Sequence, residues 1–441
     1  MRRAVGPVVL VVFVVLLTGC DWPMFRYNSA HTGSSPDTTL SVNNVGSVTQ
    51  RWHATTGGQI YGAPAIANGI VYVGSEDGSV YAFDDAGTRG CAGTPTICNP
   101  LWRDTLGGTT PGRSSPAVAN GTLYIGTGNG RVYAFDATGV TGCSGSPKVC
   151  APLWTSSALG FISSSPTVVN GILYIGSNDG SLYAFDATGK NGCSGSPKVC
   201  TPLWRAPAGT GTVQSSPAVV AGVVYVGGSG GVYAFDGAGV THCSGSPKVC
   251  TPLWRGVTAN AVESSPAVAN GVVYAGDIDN GDLYAFDAAG STGCSGTPKQ
   301  CTPLWTANTG SFENVSESAA VAKGFVYVGS GDGMFVFDAA GQKNCSGSPK
   351  TCTTLGMFAG TGGALTASPA VANGVVYFAT GDNHLNAYDA RGIVDCSAAP
   401  ITCSPIFSTL TGINADSSPA IGDGTIFIGD ADGTLHAYGL P

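Results

Sequence analysis

The feature that most constrains the fold is an internal repeat of about fifty residues. The segment Ser-Ser-Pro-Ala-Val-Ala-Asn-Gly and its relatives occur eight times, at intervals of 49 to 53 residues. A repeat at so regular a period indicates one structural unit stacked several times, so the period decides the architecture. The eight copies begin at Gly62, Ser114, Ser164, Ser215, Ser264, Glu317, Ala367 and Ser417.

Each repeat predicts four short strands. Runs such as "GILYIGS" and "SLYAFDA" are rich in β-branched and aromatic residues and end in Gly, Asn or Asp, which is typical of strands and turns. Asn-Gly, a favoured hairpin turn, joins the first two runs, and turns such as Asn178-Asp179-Gly180 join the next two. Because only 10% of the residues are charged and no long window has helical spacing, we expect an all-β protein.

Eight such sheets can bury both of their faces by packing around one axis. The sequence therefore predicts an eight-bladed β-propeller with four antiparallel strands per blade. The last copy stops after its third strand, while the run Arg51-Trp52-His53-Ala54 precedes the first copy, so we expect this N-terminal strand to complete the last blade. The fourth strands should lie near Trp52, Trp102, Trp154, Trp204, Trp254, Trp305, Leu355 and Phe407, with the six tryptophans packing one blade on the next.

The first residues predict an export signal. Two arginines precede an apolar run at 8–17, which is too short to span a bilayer comfortably. The run ends in "LTGC", similar to a bacterial lipobox, so Cys20 is the expected lipid-attachment residue; an ordinary secretory signal is the alternative. The predicted organisation is a lipoprotein signal peptide at 1–19, an N-terminal tether and lead-in segment at 20–46, and the propeller at 47–441.

The charge balance argues against some partners. The formal net charge is −8 and no basic patch is visible in the sequence, so nucleic acid and anionic lipid headgroups are disfavoured. We expect an extracytoplasmic, monomeric propeller at the cell surface or in the periplasm, held to the membrane through lipid on Cys20.

The repeat resembles the PQQ-type propeller repeat over nearly the whole mature chain. The shared pattern is Gly-x-(Val/Leu)-Tyr-(Val/Ile)-Gly, a turn and Tyr-Ala-(Phe/Leu)-Asp, and residues 21–36 are similar to the start of many such propellers. That family includes quinone-dependent alcohol dehydrogenases and the BamB-like lipoproteins of outer-membrane assembly, whose eight-bladed BamB binds no quinone. The resemblance implies the fold, whereas function must be argued from the site.

Seven near-copies of a cysteine loop, such as "GCSGSPKVCTPLW", lie between third and fourth strands. In an exported protein this even pairing predicts one disulfide within each loop. Zinc is disfavoured by the spacing, and free thiols are the other alternative. Strand direction places the loops on the same face as the Asn-Gly turns, as outer hairpins stapled within each blade, where they could form a docking surface. The pairs are Cys91 and Cys98, Cys143 and Cys150, Cys193 and Cys200, Cys243 and Cys250, Cys294 and Cys301, Cys345 and Cys352, and Cys396 and Cys403.

The sequence is compatible with three functions. The first is a non-catalytic scaffold that binds envelope or extracellular proteins or another ligand, with envelope protein assembly as one version. The second is a PQQ-dependent dehydrogenase; the resemblance implies adjacent cysteines, an aromatic floor and calcium ligands for such an enzyme. The chain has no Cys-Cys pair, and six of its seven tryptophans are in fourth strands, so PQQ is disfavoured and no catalytic residue is predicted. The third is glycan binding or cell-surface sensing.

The repeated aspartates and serines are interpreted as structural residues of turns and strands. The Asp of each "AFD" run is expected to accept a backbone N–H two residues on and so fix a turn. The run "DIDNGD", with Asp277, Asp279 and Asp282, is a weak calcium candidate, against a solvated turn. The serines of "SSP" are interpreted as strand starts.

Overall fold

The computed structural model describes residues 20–279, 281–309, 317–331, 333–358, 365, 367–392, 396–397, 402–412 and 417–441. The predicted signal peptide at 1–19 lies outside these residues. In the described chain the strands form eight sheets, and the one helical element is a 3₁₀ turn at Val45–Ser47. The predicted all-β, eight-bladed propeller is therefore confirmed.

No helix in the described residues is long and apolar enough to cross a membrane.

The four main strands of each blade follow one another antiparallel, from the channel outward. Blades 1 to 4 consist of Ala65–Ala67, Ile70–Ser75, Ser79–Asp84 and Trp102–Thr105; Ala117–Ala119, Thr122–Gly126, Val132–Asp136 and Trp154–Ser156; Thr167–Val169, Ile172–Ser177, Ser181–Asp186 and Trp204–Pro207; and Ala218–Val220, Val223–Gly228, Gly231–Asp236 and Trp254–Val257. Blades 5 to 7 consist of Ala267–Ala269, Val272–Gly276, Asp282–Asp287 and Trp305–Asn308; Ala320–Ala322, Phe325–Ser330, Gly333–Asp338 and Gly356–Phe358; and Ala370–Ala372, Val375–Thr380, His384–Asp389 and Phe407–Leu410.

Blade 8 is assembled from the two ends of the chain. Its first three strands are Ala420–Gly422, Thr425–Gly429 and Thr434–Gly439. The N-terminal strand Thr49–Thr55 pairs antiparallel with the third of these, with Thr49 opposite Gly439 and Thr55 opposite Thr434. The fourth strand of this blade thus comes from the start of the chain.

The turns follow from local chemistry. Asn170 and Gly171 join the first two strands of blade 3 with φ of 51° and 77°, the left-handed conformation that a two-residue type I′ hairpin needs at both positions. We call the face that carries these turns the hairpin face, and the opposite face, with the turns between second and third strands, the turn face. The Arg89 side chain donates to the Gly69 carbonyl at 3.0 Å, so the loop that leads into the first cysteine hairpin lies beside an Asn-Gly turn, on the hairpin face as predicted.

The prediction of four strands per blade is wrong, because the cysteine hairpins add strands. Each hairpin also leaves its own blade and pairs in parallel with the fourth strand of the preceding blade. Val199, for example, lies opposite Thr155 of blade 2 although its hairpin belongs to unit 3. The physical reason is that the fourth strand is otherwise a free edge, with unpaired backbone groups that a further strand satisfies. Most sheets therefore have six strands and two have five.

The hairpin strands are short. Blades 8 and 1 to 4 receive Cys91–Ala92 and Ile97–Cys98; Cys143–Ser144 and Val149–Cys150; Cys193–Ser194 and Val199–Cys200; Cys243–Ser244 and Val249–Cys250; and Cys294–Ser295 and Gln300–Cys301. Blade 5 receives Cys345–Ser346 and Lys350–Cys352, blade 6 receives Thr402–Cys403, and Ser34–Ser35 joins the inner edge of blade 7.

Candidate functional site

Five joints between neighbouring blades use one backbone carbonyl that accepts two hydrogen bonds. Between blades 2 and 3, the Trp154 indole and the Tyr124 hydroxyl donate to the Ala187 carbonyl at 3.2 and 2.9 Å. Gly189, with φ of 65°, lies against the indole, where an added Cβ would come within 2.4 Å of Cδ1. These aromatic side chains are therefore committed to joining blades. The structure places all six predicted blade-docking tryptophans at joints, each donating to a carbonyl of the next blade: Trp52, Trp102, Trp154, Trp204, Trp254 and Trp305.

The second serine of each "SSP" copy links neighbouring blades around the channel. The Ser115 N–H donates to the Ser165 hydroxyl at 2.9 Å, and the Ser165 N–H donates to Ser216 at 2.8 Å. Seven such bonds run from the N–H of Ala63 to the hydroxyl of Ser418. Interpreting these serines only as strand starts missed this ring, although their repetition at one position was the available signal.

Residues 21–37 form a plug that closes the channel near the hairpin face and bonds to all eight blades. Trp22 forms an antiparallel bridge with Ile66 of blade 1. N–H groups on the first strands of blades 2, 4, 5, 6 and 7 donate to its backbone carbonyls. His31 hydrogen-bonds Thr167 of blade 3, and Asp37 accepts the Gly424 N–H of blade 8. The segment expected to be a tether is therefore packed against the propeller.

Two buried basic side chains hold the plug in place. The Arg26 guanidinium donates to the carbonyls of Ala319, at 2.8 Å, and Pro369. Burial lowers the pKa of Arg26 to about 9, opposed by the charge of Glu317. Burial, and then the charge of Arg26, lowers the pKa of His31 to about 3. The imidazole of His31 is therefore neutral at physiological pH.

Between the plug and the turn face the channel holds a polar cavity of about 120 Å³, lined by the serine ring and Phe25. Gln214 donates to Glu263 at 3.3 Å, and the Ser368 hydroxyl donates to Glu317 at 3.1 Å. The acidic groups at this mouth are thus hydrogen-bonded to neighbouring blades.

The aromatic side chain Phe161 lies exposed near the channel mouth. It is 46% exposed, and it packs beside the backbone of Gly112 and Gly128, where added Cβ atoms would lie 3.6 and 3.0 Å from its ring. Arg113, next to Gly112, is exposed and lines the channel cavity. The turn face therefore presents an exposed aromatic ring that packs on Gly112, the residue before the exposed Arg113.

The calcium candidate at Asp277 is engaged by protein donors. Its buried carboxylate accepts the Asn260 N–H at 3.2 Å and the Tyr284 hydroxyl at 3.1 Å, while Asp282 accepts the Asn308 amide at 2.7 Å. Burial raises the pKa of Asp277. Across the described residues, which omit residue 280 of this turn, no group of three His, Cys, Asp or Glu side chains could hold a metal ion, so Asp279 completes no such group.

A family model described as outer membrane protein assembly factor BamB matches residues 38–141 and 99–332, more than half of the chain. The chain belongs to this BamB family. No curated protein matches it in sequence.

Solved structures share the fold of this BamB-family chain at low identity. BamB from Moraxella catarrhalis is 14% identical with a TM-score of 0.61, over 89% of this chain and 99% of that one. Quinohemoprotein alcohol dehydrogenase from Comamonas testosteroni is 14% identical with a TM-score of 0.67, over 96% and 80%. A computationally designed protein, Ika8, is 14% identical with a TM-score of 0.64, over 88% and 99%. At this identity the likeness shows the fold alone.

In this BamB-family propeller all seven expected disulfides lie within the hairpins. The paired Cα atoms are 3.9 to 4.0 Å apart, directly across the two short strands. Disulfides persist outside the cytoplasm, so they and the family indicate an extracytoplasmic protein. Cys20 is outside these pairs, and its backbone N–H donates to Asp423 at 2.8 Å in a hairpin-face turn.

Proposed function

We propose that this protein is a non-catalytic, extracytoplasmic lipoprotein that binds a protein partner of the cell envelope through its turn face. The observation that carries the proposal is the exposed Phe161 beside Arg113, on a face that carries no lysine among its described residues. Protein interfaces are enriched in aromatic residues and Arg and depleted in Lys. Membership of a family described as an assembly factor also supports protein binding.

The rest of the turn face suits a rigid scaffold. The serine ring and the blade joints hold the loops in fixed relative positions, so binding would order few groups. Acidic side chains surround the mouth, among them Asp77 and Asp179, which accept N–H groups of their own turns at 2.9 and 3.0 Å. A partner with a basic, apolar-centred surface would complement this arrangement.

The quinone-dependent dehydrogenase has less support. The resemblance implied an aromatic floor and a pair of adjacent cysteines for such an enzyme. Here the tryptophans of the fourth strands lie in blade joints, and the paired cysteines lie in the hairpins. Glu263 and Glu317 at the channel mouth are bonded to Gln214 and Ser368. The cavity of about 120 Å³ is narrow for a tricyclic quinone together with a substrate. The described residues thus fit this cofactor poorly, and we derive no reaction through it.

The test compares two equally simple substitutions on opposite faces. A photo-cross-linking amino acid at Phe161 should give one discrete adduct with an envelope protein in the native membrane. The same amino acid at Val240, an exposed apolar position on the hairpin face, should not give that adduct. Phe161→Ala with Arg113→Ala should abolish co-purification of the adduct partner, while Val240→Ala should not. Equal cross-linking from both positions would overturn the assignment of the turn face.

Two further measurements test the other parts of the proposal. Incubation with PQQ and calcium should give no stoichiometric quinone absorbance and no alcohol-dependent dye reduction; both together would refute the non-catalytic role. Intact mass of the N-terminal peptide should show lipid on Cys20, and Cys20→Ser should release the protein from membranes. Retention of that variant in the membrane fraction would contradict the anchor.

A further inference from the structure

The lysines of this chain are all on one side of the disc. Five occupy the same position in a cysteine hairpin, as Lys198 does; Lys190 and Lys343 precede hairpins; and Lys323 lies in a turn between first and second strands. All eight are exposed and belong to the hairpin face. The turns of the opposite face carry acidic residues, such as Asp77 and Asp179, and no lysine among the described residues. The lysines are therefore confined to one face, where they lie among the aspartates that end the third strands.

The aspartates that end the third strands lie at the bases of the hairpin-face loops and accept hydrogen bonds there. Asp136 accepts the N–H groups of Thr138 and Thr141 at 2.9 and 2.6 Å. Asp84 pairs with Arg89 at 2.6 Å, and Asp389 pairs in the same way with its neighbouring arginine at 3.2 Å. Four hairpin lysines donate to backbone carbonyls of these same loops, as Lys148 does to Gly139 at 3.0 Å, so their ammonium groups lie beside the loop bases and contact neutral acceptors rather than carboxylates.

The start of the mature chain is fixed to this same face. Besides the bond from the Cys20 N–H to Asp423, the Asp21 carboxylate accepts the Asn68 N–H at 3.1 Å. Trp22 is buried and pairs with the first strand of blade 1. Cys20 is thus joined to the propeller without a flexible linker, and a lipid on its sulfur would enter a bilayer directly beside the hairpin face.

We propose that the hairpin face lies flat against an anionic bilayer surface, with the lysines on lipid phosphates and the turn face directed away from the membrane. Juxtamembrane lysines are attracted to anionic headgroups and can extend their apolar stems along the interface. Val140 and Val240, 69% and 72% exposed in loops of this face, would reach the same interface. The orientation rests in part on the proposed lipid at Cys20, and it leaves Phe161 and Arg113 free for a partner.

The first experiment measures the face without the lipid. The exported chain carrying Cys20→Ser is sedimented with vesicles of phosphatidylcholine, with and without phosphatidylglycerol. Binding should require phosphatidylglycerol and weaken with added salt. Replacing Lys190, Lys198 and Lys323 by Glu should lower the partition coefficient by roughly 5-fold or more per lysine.

The matched control makes the same charge change on the turn face, with Arg113, Arg131 and Arg205 replaced by Glu. That variant should bind as the parent does, and circular dichroism should show both variants folded. Equal losses in the two variants, or equal binding to vesicles without phosphatidylglycerol, would overturn the proposal. Because the Cys20→Ser chain carries no covalent lipid, this result is independent of whether Cys20 is lipidated.

The second experiment uses the lipidated protein, and the lysines themselves are the probe. Acetylation of Lys198 and Lys248 in phosphatidylglycerol-containing vesicles should fall several-fold below that of the same protein in neutral detergent. Modification of Arg113 by an arginine reagent should be unchanged. Lysines that stay equally reactive on the bilayer would overturn the orientation, whereas a missing lipid on Cys20 alone would contradict only the proposed anchor.

Discussion

Removing the disulfide of hairpin 193–200 should loosen the blade on which the hairpin is seated. The hairpin is supplied by unit 3, yet it pairs with the fourth strand of blade 2. There the Thr155 N–H donates to the Lys198 carbonyl at 3.0 Å, and the Ser157 N–H donates to the Cys200 carbonyl at 2.7 Å. The double replacement Cys193→Ser and Cys200→Ser leaves these groups in place but frees the ends of the hairpin.

The size of the effect follows from the length of the closed loop. The two cysteines are 7 positions apart, and for a closed loop of about eight residues the chain-entropy relation gives about 2.5 kcal/mol. If the hairpin opens locally by that amount more readily, amide exchange at the bonds it protects should be roughly 60-fold faster. The change should be confined to the blade edge, because the inner strands of blade 2 keep their own partners.

Hydrogen exchange read by mass spectrometry is the appropriate assay. Peptides that contain Thr155 and Ser157 should exchange faster in the variant, while the third strand of blade 3, Ser181–Asp186, should be unchanged. The equivalent variant Cys143→Ser and Cys150→Ser should move the effect to Arg103 of blade 1, whose N–H donates to the Lys148 carbonyl at 3.1 Å. Faster exchange in the blade that supplies each hairpin, with the preceding blade unchanged, would refute the reasoning.

Three other predictions concern the joints, the serine ring and the plug. Gly189→Ala should lower the free energy of unfolding by about 2–4 kcal/mol in urea titration, since the residue has positive φ and meets an indole, whereas Gly171→Ala, also at positive φ but with nothing within 4 Å, should cost only about 1–2 kcal/mol; equal costs would contradict the role of the indole. Ser165→Ala should cost about 1–3 kcal/mol in the same assay, because the buried Ser115 N–H loses its acceptor; no change would contradict the ring as a stabilising feature. His31 has a folded-state pKa of about 3, below its unfolded value, so its contribution is complete above about pH 6.5 and is lost as the pH falls toward 3; thermal unfolding of His31→Gln should be less sensitive to pH across that window, and an unchanged pH dependence would contradict the buried neutral imidazole.

Local sequence chemistry was sufficient for the blades themselves. The repeat period, the Asn-Gly turns and the strand-like runs each specify short-range structure, so blade number and strand positions could be predicted. The pairing of Thr49–Thr55 with Thr434–Gly439 was accessible for the same reason, because a fourth strand missing at one end of the chain was present at the other. Predictions that depend only on neighbours in sequence and on stacking of identical units need no further information.

The features that could not be predicted depend on groups brought together by the closed ring. Arg26 and His31 become a buried pair only when the first strands of eight blades surround them. The total charge of −8 argued against anionic lipid, but a sum over the chain contains no information on which face each lysine occupies. The blade with which each hairpin pairs could not be predicted either, since parallel pairing with the preceding blade leaves no periodic signal in either segment.

The outer edges of the blades explain both where the hairpins pair and where the N-terminal segment lies. In the described chain, seven fourth strands are covered by a hairpin strand from the next unit. The fourth strand of blade 7 has no such partner, because in blade 8 the third and fourth strands come from opposite ends of the chain and no hairpin joins them. The N-terminal segment lies at this edge of blade 7 instead. The 3₁₀ turn Val45–Ser47 lies there, with Gly46 close enough that an added Cβ would be 3.4 Å from the Ile406 carbonyl, and Val45 is buried in the same cluster as Phe407. Using the N-terminal strand to complete blade 8 thus removes an eighth hairpin, and the residues just before that strand shield the edge left open, which accounts for why the segment between plug and propeller is ordered against blade 7.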